Sequence, residues 1–367
     1  MLSAVAAPAT PRVGEPWMRN AWYAAMWAES LAPGALVARR ILNEHLVFFR
    51  DADGRPVAME DRCPHRFAPL RLGAVLPNGR VQCGYHGLEF DRDGECVLNP
   101  HGNGKLPAGA GVRTYPVVEK HTVLWIWMGN APADAAMIAD LSIFDDAPPL
   151  HVAERGDLTL EADYRLITDN LLDLSHASYL HPGTLGNVEM ASATQTEVTQ
   201  EGETVTVHRH SPSVPIPGVG ALMYGKPAEI VDKWVTIVWT APGNMILQNG
   251  VCEPSAPTTS GTGYYGVHLL TPETETTTAY HFSAVRWNVR ESDPAQSAQI
   301  RDKISAVRRQ AFEEQDAPMI REQARIMREL GDRAPRQALL AIDAGAVRYR
   351  RVLDTLIARE SAAASRG

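Results

Sequence analysis

Two short segments of the sequence each place a thiol next to an imidazole. The first reads Cys63-Pro-His65 and the second reads Cys83-Gly-Tyr-His86. With one thiolate and one imidazole from each segment, a two-iron cluster can take both sulfur ligands on one iron and both nitrogen ligands on the other. The spacing therefore predicts a cluster that transfers electrons.

This ligand order is that of a Rieske [2Fe-2S] cluster. Zinc is the alternative, but structural zinc sites usually pair two cysteines in one loop and two histidines in the other. The chain has only 4 Cys and 12 His to place at these spacings, which disfavours an accidental match. We predict that the cluster is held by Cys63, His65, Cys83 and His86.

A second group of metal-binding side chains lies on a predicted helix. Asn170, Asp173 and His176 are three residues apart, which places them along one helix face. His181 follows five residues later, where Pro182-Gly183 ends the helix. Two imidazoles and one carboxylate on one side of Fe(II) form a facial triad with positions open for dioxygen. His176 and His181 supply two of these three ligands.

Taken alone, a histidine pair of this spacing more often has a structural role than a metal-binding one. A one-electron donor in the same chain favours the metal, because an oxygen-activating iron needs electrons delivered singly. Asp173 could then orient the ligands and carry a proton. The alternative for Asp173 is a helix-face acid or N–H acceptor without a part in electron transfer. We predict Asp173 and Asn170 as catalytic residues.

The elements that position these groups fall into two stretches. From Trp22 to about Trp127, short apolar runs alternate with Gly, Pro, Asn and Asp turns, which predicts an all-β domain with the ligand loops at its tip. A linker follows up to Pro149. The predicted fold is α+β, with an N-terminal all-β Rieske domain over residues 17–135 and a catalytic domain over residues 150–360 that has an antiparallel sheet covered by helices.

The periodicity of the second stretch predicts its elements. The predicted helices are 163–180, 293–330 and 343–358, and the predicted strands are 204–208, 234–239, 263–270 and 277–285. The Pro- and Gly-rich segment 211–227 is predicted to be a mobile loop.

Composition limits the function classes. The net charge is −8 without a long basic run, which disfavours a nucleic-acid partner. No run of 18 apolar residues is present to cross a membrane, and the segment Met1–Pro16 lacks the features of a signal peptide. With Cys96 and Cys252 expected as free thiols, we predict a cytoplasmic protein.

The sequence resembles the oxygenase components of Rieske non-heme iron enzymes, in the branch that contains vanillate and dicamba O-demethylases. The resemblance runs through nearly the whole chain, in the motifs Arg19-Asn-Ala-Trp-Tyr23, Cys63-Pro-His-Arg-Phe-Ala-Pro-Leu70, Cys83-Gly-Tyr-His-Gly-Leu-Glu-Phe90, Asp169-Asn-Leu-Leu-Asp-Leu-Ser-His176, Leu270-Thr-Pro-Glu-Thr274 and Ile342-Asp-Ala-Gly345.

The resemblance implies a third iron ligand, an aspartate in the long C-terminal helix. Asp316 is chosen over Glu313, Glu314 and Asp302, and a kink at Ala317-Pro318 is expected to help aim it inward. The resemblance also implies a homotrimer in which the cluster of one subunit faces the iron of the next. In such a ring His86 approaches Asp173 and His176 of its neighbour.

The resemblance further implies an O2-dependent monooxygenase acting on an aromatic compound, with a methoxybenzoate that is O-demethylated as the expected substrate. Electrons are expected from an NAD(P)H-dependent reductase of flavin and iron-sulfur type, since the sequence has no Gly-rich dinucleotide motif. Gln248 and His268 are the predicted substrate contacts. The run His208-Arg209-His210 either recognises a carboxylate or forms an exposed strand end.

Other functions remain open on the sequence alone. The same ligands would serve hydroxylation or dihydroxylation of another aromatic acid, of phenoxybenzoate or toluenesulfonate type. A Rieske electron-transfer protein would need only the first third of the chain. A zinc-stabilised binding module would leave His176, His181 and Asp173 without a role.

Overall fold

The computed structural model describes residues 16–106, 108–186, 188, 194–216, 218–225 and 230–364. The chain forms two compact units. The first comprises the residues up to Asp140, the segment 271–275 and the residues from Leu356 onward; the second comprises 141–270 and 276–355. Of the helices in the described ranges, none combines the length and apolar character that a bilayer-spanning segment requires.

The first unit is built from three small antiparallel sheets, with strand orders β1-β11-β10, β2-β3-β4-β9 and β5-β6-β7-β8. The strands are β1 Trp22–Trp27, β2 Val37–Ile41, β3 Glu44–Arg50, β4 Pro56–Glu60, β5 Ala74–Val75, β6 Val81–Gln82, β7 Glu89–Phe90, β8 Cys96–Leu98, β9 Thr114–Tyr115, β10 Val117–Lys120 and β11 Val123–Trp127.

Both predicted ligand loops leave short strands of this unit. The second loop connects β6 to β7 as a hairpin, and the first follows β4. Cys63 and Cys83 belong to one apolar cluster with Val47 and Phe49 of β3. Because the thiols are part of the core, the loops are fixed at their sulfur ends.

A seven-stranded sheet of order β12-β18-β17-β16-β15-β14-β13 dominates the second unit. Its strands are β12 Gly156–Leu160, β13 Gln195–Glu201, β14 Thr204–Pro215, β15 Ile230–Thr240, β16 Asn244–Cys252, β17 Thr262–Pro272 and β18 Thr278–Trp287. The helices are α1 Tyr164–Leu172, α2 Ala177–Leu180, α3 Gly218–Tyr224, α4 Pro294–Arg309, a π-helix Gln310–Asp316, α5 Ala317–Leu330 and α6 Ala344–Ala364.

Helices α3 and α4 pack on this sheet through an apolar cluster. Val219 and Met223 of α3 and Ile304 of α4 contact Tyr264 of β17 and Ala284 of β18 within it. An N-terminal all-β domain followed by an antiparallel sheet with helices confirms the predicted fold class.

Two predicted elements differ from the structure. The helix predicted over 163–180 is two helices, because the first one ends at Asp173. There the Asp173 carboxylate accepts the backbone N–H of Ser175, which therefore does not donate to a helical carbonyl. The loop predicted over 211–227 instead contains the end of β14 and helix α3, while residue 217 and residues 226–229 of the prediction lie outside the described residues.

Candidate active site

The first cysteine–histidine loop is closed by its own backbone. The Cys63 N–H donates to the Ala68 carbonyl at 2.8 Å, and the Phe67 N–H donates to the Cys63 carbonyl at 2.9 Å. Phe67 has φ 56°, in the left-handed region that is uncommon for a bulky residue. The Arg62 guanidinium lies 4.9 Å from the centre of its ring. The exposed His65 is thereby held on a tight turn.

The second loop repeats this turn. The Cys83 N–H donates to the Leu88 carbonyl at 2.8 Å, and the Gly87 N–H donates to the Cys83 carbonyl at 2.9 Å. Gly87 has φ 72° at the position that Phe67 holds in the first loop, and glycine adopts this conformation without steric cost. Two equivalent turns therefore present the four predicted cluster ligands.

The side chains of the loops fit a cluster with two sulfur and two nitrogen ligands. The His65 and His86 rings are 4.6 Å apart, and the buried Nδ1 of His86 has no hydrogen-bond partner among the described residues. Desolvation and the neighbouring His65 lower the pKa of His86, which favours the neutral imidazole that a metal requires. Burial raises the pKa of the Cys63 thiol to about 11, so its thiolate needs a bound cation.

The second unit brings the two predicted histidines and the chosen aspartate together. His176 Nε2 lies 3.2 Å from His181 Nε2 and 3.5 Å from Asp316 Oδ1, and His181 Nε2 lies 3.3 Å from Asp316 Oδ2. Metal–ligand bonds of about 2.1 Å at right angles separate neighbouring donors by roughly 3.0 Å. The three donor atoms are thus spaced for one face of a metal ion, as a facial triad requires.

A backbone contact fixes the orientation of His176. Its Nδ1–H donates to the backbone carbonyl of Asp173, where α1 has ended. This contact fixes the tautomer and directs Nε2 toward the other two donors. The half-buried carboxylate of Asp173 also accepts the hydroxyl and the backbone N–H of Ser175.

A glutamine that the sequence analysis missed orients His181. The Nδ1–H of His181 donates to Gln315 Oε1 at 2.7 Å, which leaves Nε2 free toward Asp316. Burial alone would lower the pKa of His181, but the adjacent Asp316 carboxylate raises it. In the sequence, the position of Gln315 directly before Asp316 could have indicated a role at this site.

The segment that carries Asp316 is a π-helix of seven residues, Gln310–Asp316. Pro318 cannot donate a backbone N–H and would clash with the preceding turn of a regular α-helix. The wider π-turn accommodates the chain there, and π-turns are frequent at functional sites. The carboxylate of Asp316 is 4% exposed and accepts a hydrogen bond from Asn170 Nδ2 at 3.2 Å.

A pocket adjoins the three donor atoms of His176, His181 and Asp316. Its volume is about 880 Å³ when the solvent-filled opening is included. One of its walls is a face of the seven-stranded sheet. Side chains alternate between faces along a strand, and the register places Arg209, Lys233, Asn249 and His268 on this same face. Helix α1 and the π-helix contribute apolar wall residues, including Leu171 and Phe312.

His268 lies in this pocket wall and is only 2% exposed. Its Nδ1 is 2.6 Å from the Tyr280 hydroxyl, and its Nε2 has no hydrogen-bond partner among the described residues. Burial, with the nearby Arg308 charge, lowers the pKa of His268 well below its usual value. The imidazole is therefore neutral at physiological pH, with one nitrogen available to a ligand.

Gln248, the other predicted substrate contact, lies on the opposite face of β16. Leu247 and Asn249 line the pocket, so the alternation of side chains directs Gln248 away from it. The prediction for Gln248 is therefore wrong, and the neighbouring Asn249 faces the pocket instead. Arg209 of the predicted His208–His210 run also lines the pocket, while His208 hydrogen-bonds Thr236 through its Nδ1 at 2.7 Å.

Two family models match the chain. The Rieske [2Fe-2S] domain matches residues 21–116, and the vanillate O-demethylase oxygenase C-terminal domain matches residues 160–359. The first match contains the two ligand loops, and the second contains His176, His181 and Asp316.

Characterised relatives match over nearly the full length. The chain is 37% identical to the oxygenase component of chloroacetanilide N-alkylformylase from Rhizorhabdus wittichii, over 94% of this chain and 97% of the relative. It is 35% identical to the oxygenase component of dicamba O-demethylase from Stenotrophomonas maltophilia, over 94% and 99%. The crystal structure of dicamba monooxygenase bound to 3,6-dichlorosalicylic acid superposes with a TM-score of 0.87 at 34% identity, over 94% and 99%.

Proposed function

Because the chain belongs to the oxygenase components of Rieske non-heme iron monooxygenases, we propose that it oxidatively removes a methyl group from a methoxybenzoate-like aromatic acid. The observation that carries the proposal is the convergence of His176, His181 and Asp316 beside a pocket with apolar walls. Such a donor set leaves iron positions open next to a bound organic molecule.

The metal-binding roles are assigned as follows. Cys63, His65, Cys83 and His86 would hold the cluster, and His176, His181 and Asp316 would hold the mononuclear iron. When bound, the cluster supplies electrons singly and the mononuclear iron activates dioxygen. Asn170 holds the Asp316 carboxylate in place through its amide.

The pocket residues position the substrate and keep water out. The neutral His268 offers its Nε2 to a polar substituent of the aromatic ring. Leu171, Leu247 and Phe312 provide apolar contacts for the ring itself. Exclusion of water by these walls directs oxidation to the substrate methyl group.

The proposed reaction consumes a methyl aryl ether, dioxygen, a pair of electrons and a pair of protons. The methyl C–H bond is hydroxylated, and the hemiacetal then loses formaldehyde and leaves a phenol, while the other oxygen atom is released as water. An NAD(P)H-dependent reductase, of flavin and iron-sulfur type, supplies the electrons in the cytoplasm.

Electron transfer between the two metal centres is proposed to cross a subunit boundary in a homotrimer. His86 of one chain would approach Asp173 and His176 of the next. Asp173 would link the two imidazoles, with its backbone carbonyl contacting His176 and its carboxylate facing the incoming His86. Mixing inactive His176→Ala chains with inactive His86→Ala chains tests this arrangement. Mixed rings should regain part of the activity, and no recovery at all would contradict the head-to-tail contact.

The direct test is an assay of the purified protein with a reductase, NADH and a panel of methoxybenzoates, toluenesulfonates and phenoxybenzoates. We expect oxygen uptake with equimolar formaldehyde from a methoxybenzoate. Oxygen uptake with a hydroxylated product and no formaldehyde would instead identify a hydroxylase. Reduction of the cluster without substrate-dependent oxygen uptake would identify an electron-transfer protein.

A further inference from the structure

The substrate pocket carries positive charge that the proposed iron site and the neutral His268 do not explain. Arg209, Lys233 and Arg308 all line it. Across the residues that the structure describes, none of the three has a carboxylate within salt-bridge distance, although the Asp173 carboxylate stabilises the charge of the half-buried Arg209 from further away. A buried charge without an acid beside it, such as that of Lys233, is costly, so its presence in a binding pocket indicates a ligand of opposite charge.

Lys233 is more deeply buried than Arg209, the neighbouring cation on β14. It lies on β15 and is 5% exposed, and its ammonium donates to the Leu185 carbonyl at 2.7 Å. An ammonium has three donors, and this is the one partner found for it in the described part of the chain. Burial and the nearby Arg209 charge lower the pKa of Lys233 to about 8.

Arg209 lies beside Lys233 on the neighbouring strand. Ser211 of β14 pairs with Lys233 of β15, so Arg209 is two residues away on the same face. The guanidinium donates to the Leu174 carbonyl, but its buried Nε has no partner among the described residues. The two cationic side chains therefore lie close together, and each keeps N–H donors that no described protein group accepts.

Arg308 is engaged in a different way. Its guanidinium donates to the Ser283 carbonyl at 3.0 Å and lies 5.0 Å from the centre of the Phe312 ring. These contacts hold Arg308 against strand β18 and the π-helix. Its buried Nε, like that of Arg209, has no partner among the described residues. Lys233 and Arg209 differ from Arg308 in lying side by side on the neighbouring strands β15 and β14, where one acid group can contact both.

We propose that Lys233 and Arg209 form an anion subsite that binds the carboxylate or sulfonate of an aromatic acid and selects such acids over neutral aromatic ethers. This proposal rests on the proposed function, because it takes the pocket to be the binding site of the aromatic substrate. His268 on β17 is two strands from Lys233, roughly 10 Å across the sheet at about 4.8 Å per strand. The acid group and a polar ring substituent are then recognised at different ends of the pocket.

Calorimetric titration of the iron-loaded holoenzyme, without oxygen or reductant, tests the subsite separately from turnover. The probes are 4-methoxybenzoate, 4-methoxybenzenesulfonate and the neutral 4-methoxybenzamide. We expect the wild type to bind at least one acid tenfold or more tightly than the amide. Because this readout requires no reaction, absence of formaldehyde in the separate assay would count against the proposed function and not against the subsite.

Two substitutions separate charge from structure at Lys233. Lys233→Gln keeps a donor for the Leu185 carbonyl and removes the charge, whereas Lys233→Met removes both. We expect both variants to lose roughly 30-fold or more in acid affinity with little change for the amide. The control is Lys303→Met, which removes an exposed charge from α4 and should change neither the affinity for acids nor the affinity for the amide.

Three outcomes would overturn the proposal. The first is a wild type that binds the amide as tightly as both acids. The second is a Lys233→Gln variant that keeps the wild-type preference for acids, which would leave Lys233 as a structural donor only. The third is a Lys233 variant that loses as much affinity for the amide as for the acids. A wild type without a preference for acids overturns the proposal even if a Lys233 variant does not fold.

Discussion

The two metal-binding regions of the chain are built over very different sequence distances. In each cluster loop, the cysteine is closed by a hydrogen bond to a residue five positions later, at Ala68 and at Leu88. At the mononuclear site, the His181–Gln315 bond spans 134 residues, and the Asn170–Asp316 bond spans 146. The first region is therefore set by local turns, and the second by the packing of helices on the large sheet.

The solvent exposure of the predicted ligands also differs between the two regions. His65 is exposed on its loop, whereas His181 and Asp316 are 1% and 4% exposed. An exposed imidazole suits a group that exchanges electrons with another protein. Buried ligands beside an apolar pocket suit chemistry that must exclude water. Substitutions in one region, followed by measurements on both, therefore distinguish their roles.

The largest expected effect comes from Asp316→Ala. Loss of the carboxylate leaves two ligands, so the mononuclear iron should be lost and turnover should fall on the order of 1000-fold or more. The visible spectrum of the cluster should stay unchanged, because its ligands lie in the other unit. The matched control is Glu314→Ala, an exposed residue of the same π-helix. Iron loss in the control instead would reverse the choice of ligand.

Asp173→Asn tests the link between the regions. The substitution keeps the size of the side chain but removes its charge, so both metals should be retained while electron transfer between them slows by roughly 10- to 100-fold. Stopped-flow reoxidation of the reduced cluster, with substrate and dioxygen, measures that rate. A metal-complete variant with wild-type reoxidation would remove Asp173 from the pathway.

The contrast between the regions also explains what the sequence could predict. The cluster ligands were predicted from spacing alone, and the structure gives Cys63 and Cys83 the same turn. Asp316 required resemblance to a known family, because no local pattern distinguishes it from Glu313 or Glu314. The fold class was predictable from alternating apolar runs and turns.

Other features depended on three-dimensional context. Gln248 and Asn249 are equivalent polar residues in sequence, and only the register of β16 shows which one faces the pocket. The π-helix before Pro318 could be anticipated as a kink but not as a widened turn. Lys233 was not singled out, since nothing near it in sequence shows that it is buried in the pocket.

Gln315→Leu, at the mononuclear iron site, should have a smaller effect. Without its Oε1, the His181 ring loses the contact that fixes its tautomer, and Fe(II) affinity should fall by about tenfold. Equilibrium titration with Fe(II) under anaerobic conditions measures this. Gln310→Leu, at an exposed position of the same π-helix, is the control and should bind Fe(II) like the wild type. Equal affinity in both variants would contradict a role for Gln315.

The smallest expected effect is a pH dependence of acid binding. The anion needs the ammonium form of Lys233, so affinity is full below the lowered pKa of about 8 and is lost as pH rises through it. Between pH of about 7 and 8.5, the Kd of an aromatic acid should rise roughly fourfold. Arg209 stays charged and His268 stays neutral over this range, so the amide should show no such change. A rise that persists in Lys233→Gln would point to another group.

A chain that carries a cluster on local loops and a separate iron site assembled by its fold must hold two kinds of iron. Metal analysis together with measurement of acid-labile sulfide distinguishes them. We expect about three iron atoms and about two sulfides per wild-type chain, falling to about two irons with unchanged sulfide in Asp316→Ala. Two irons in the wild type, or zinc in place of iron, would contradict this arrangement.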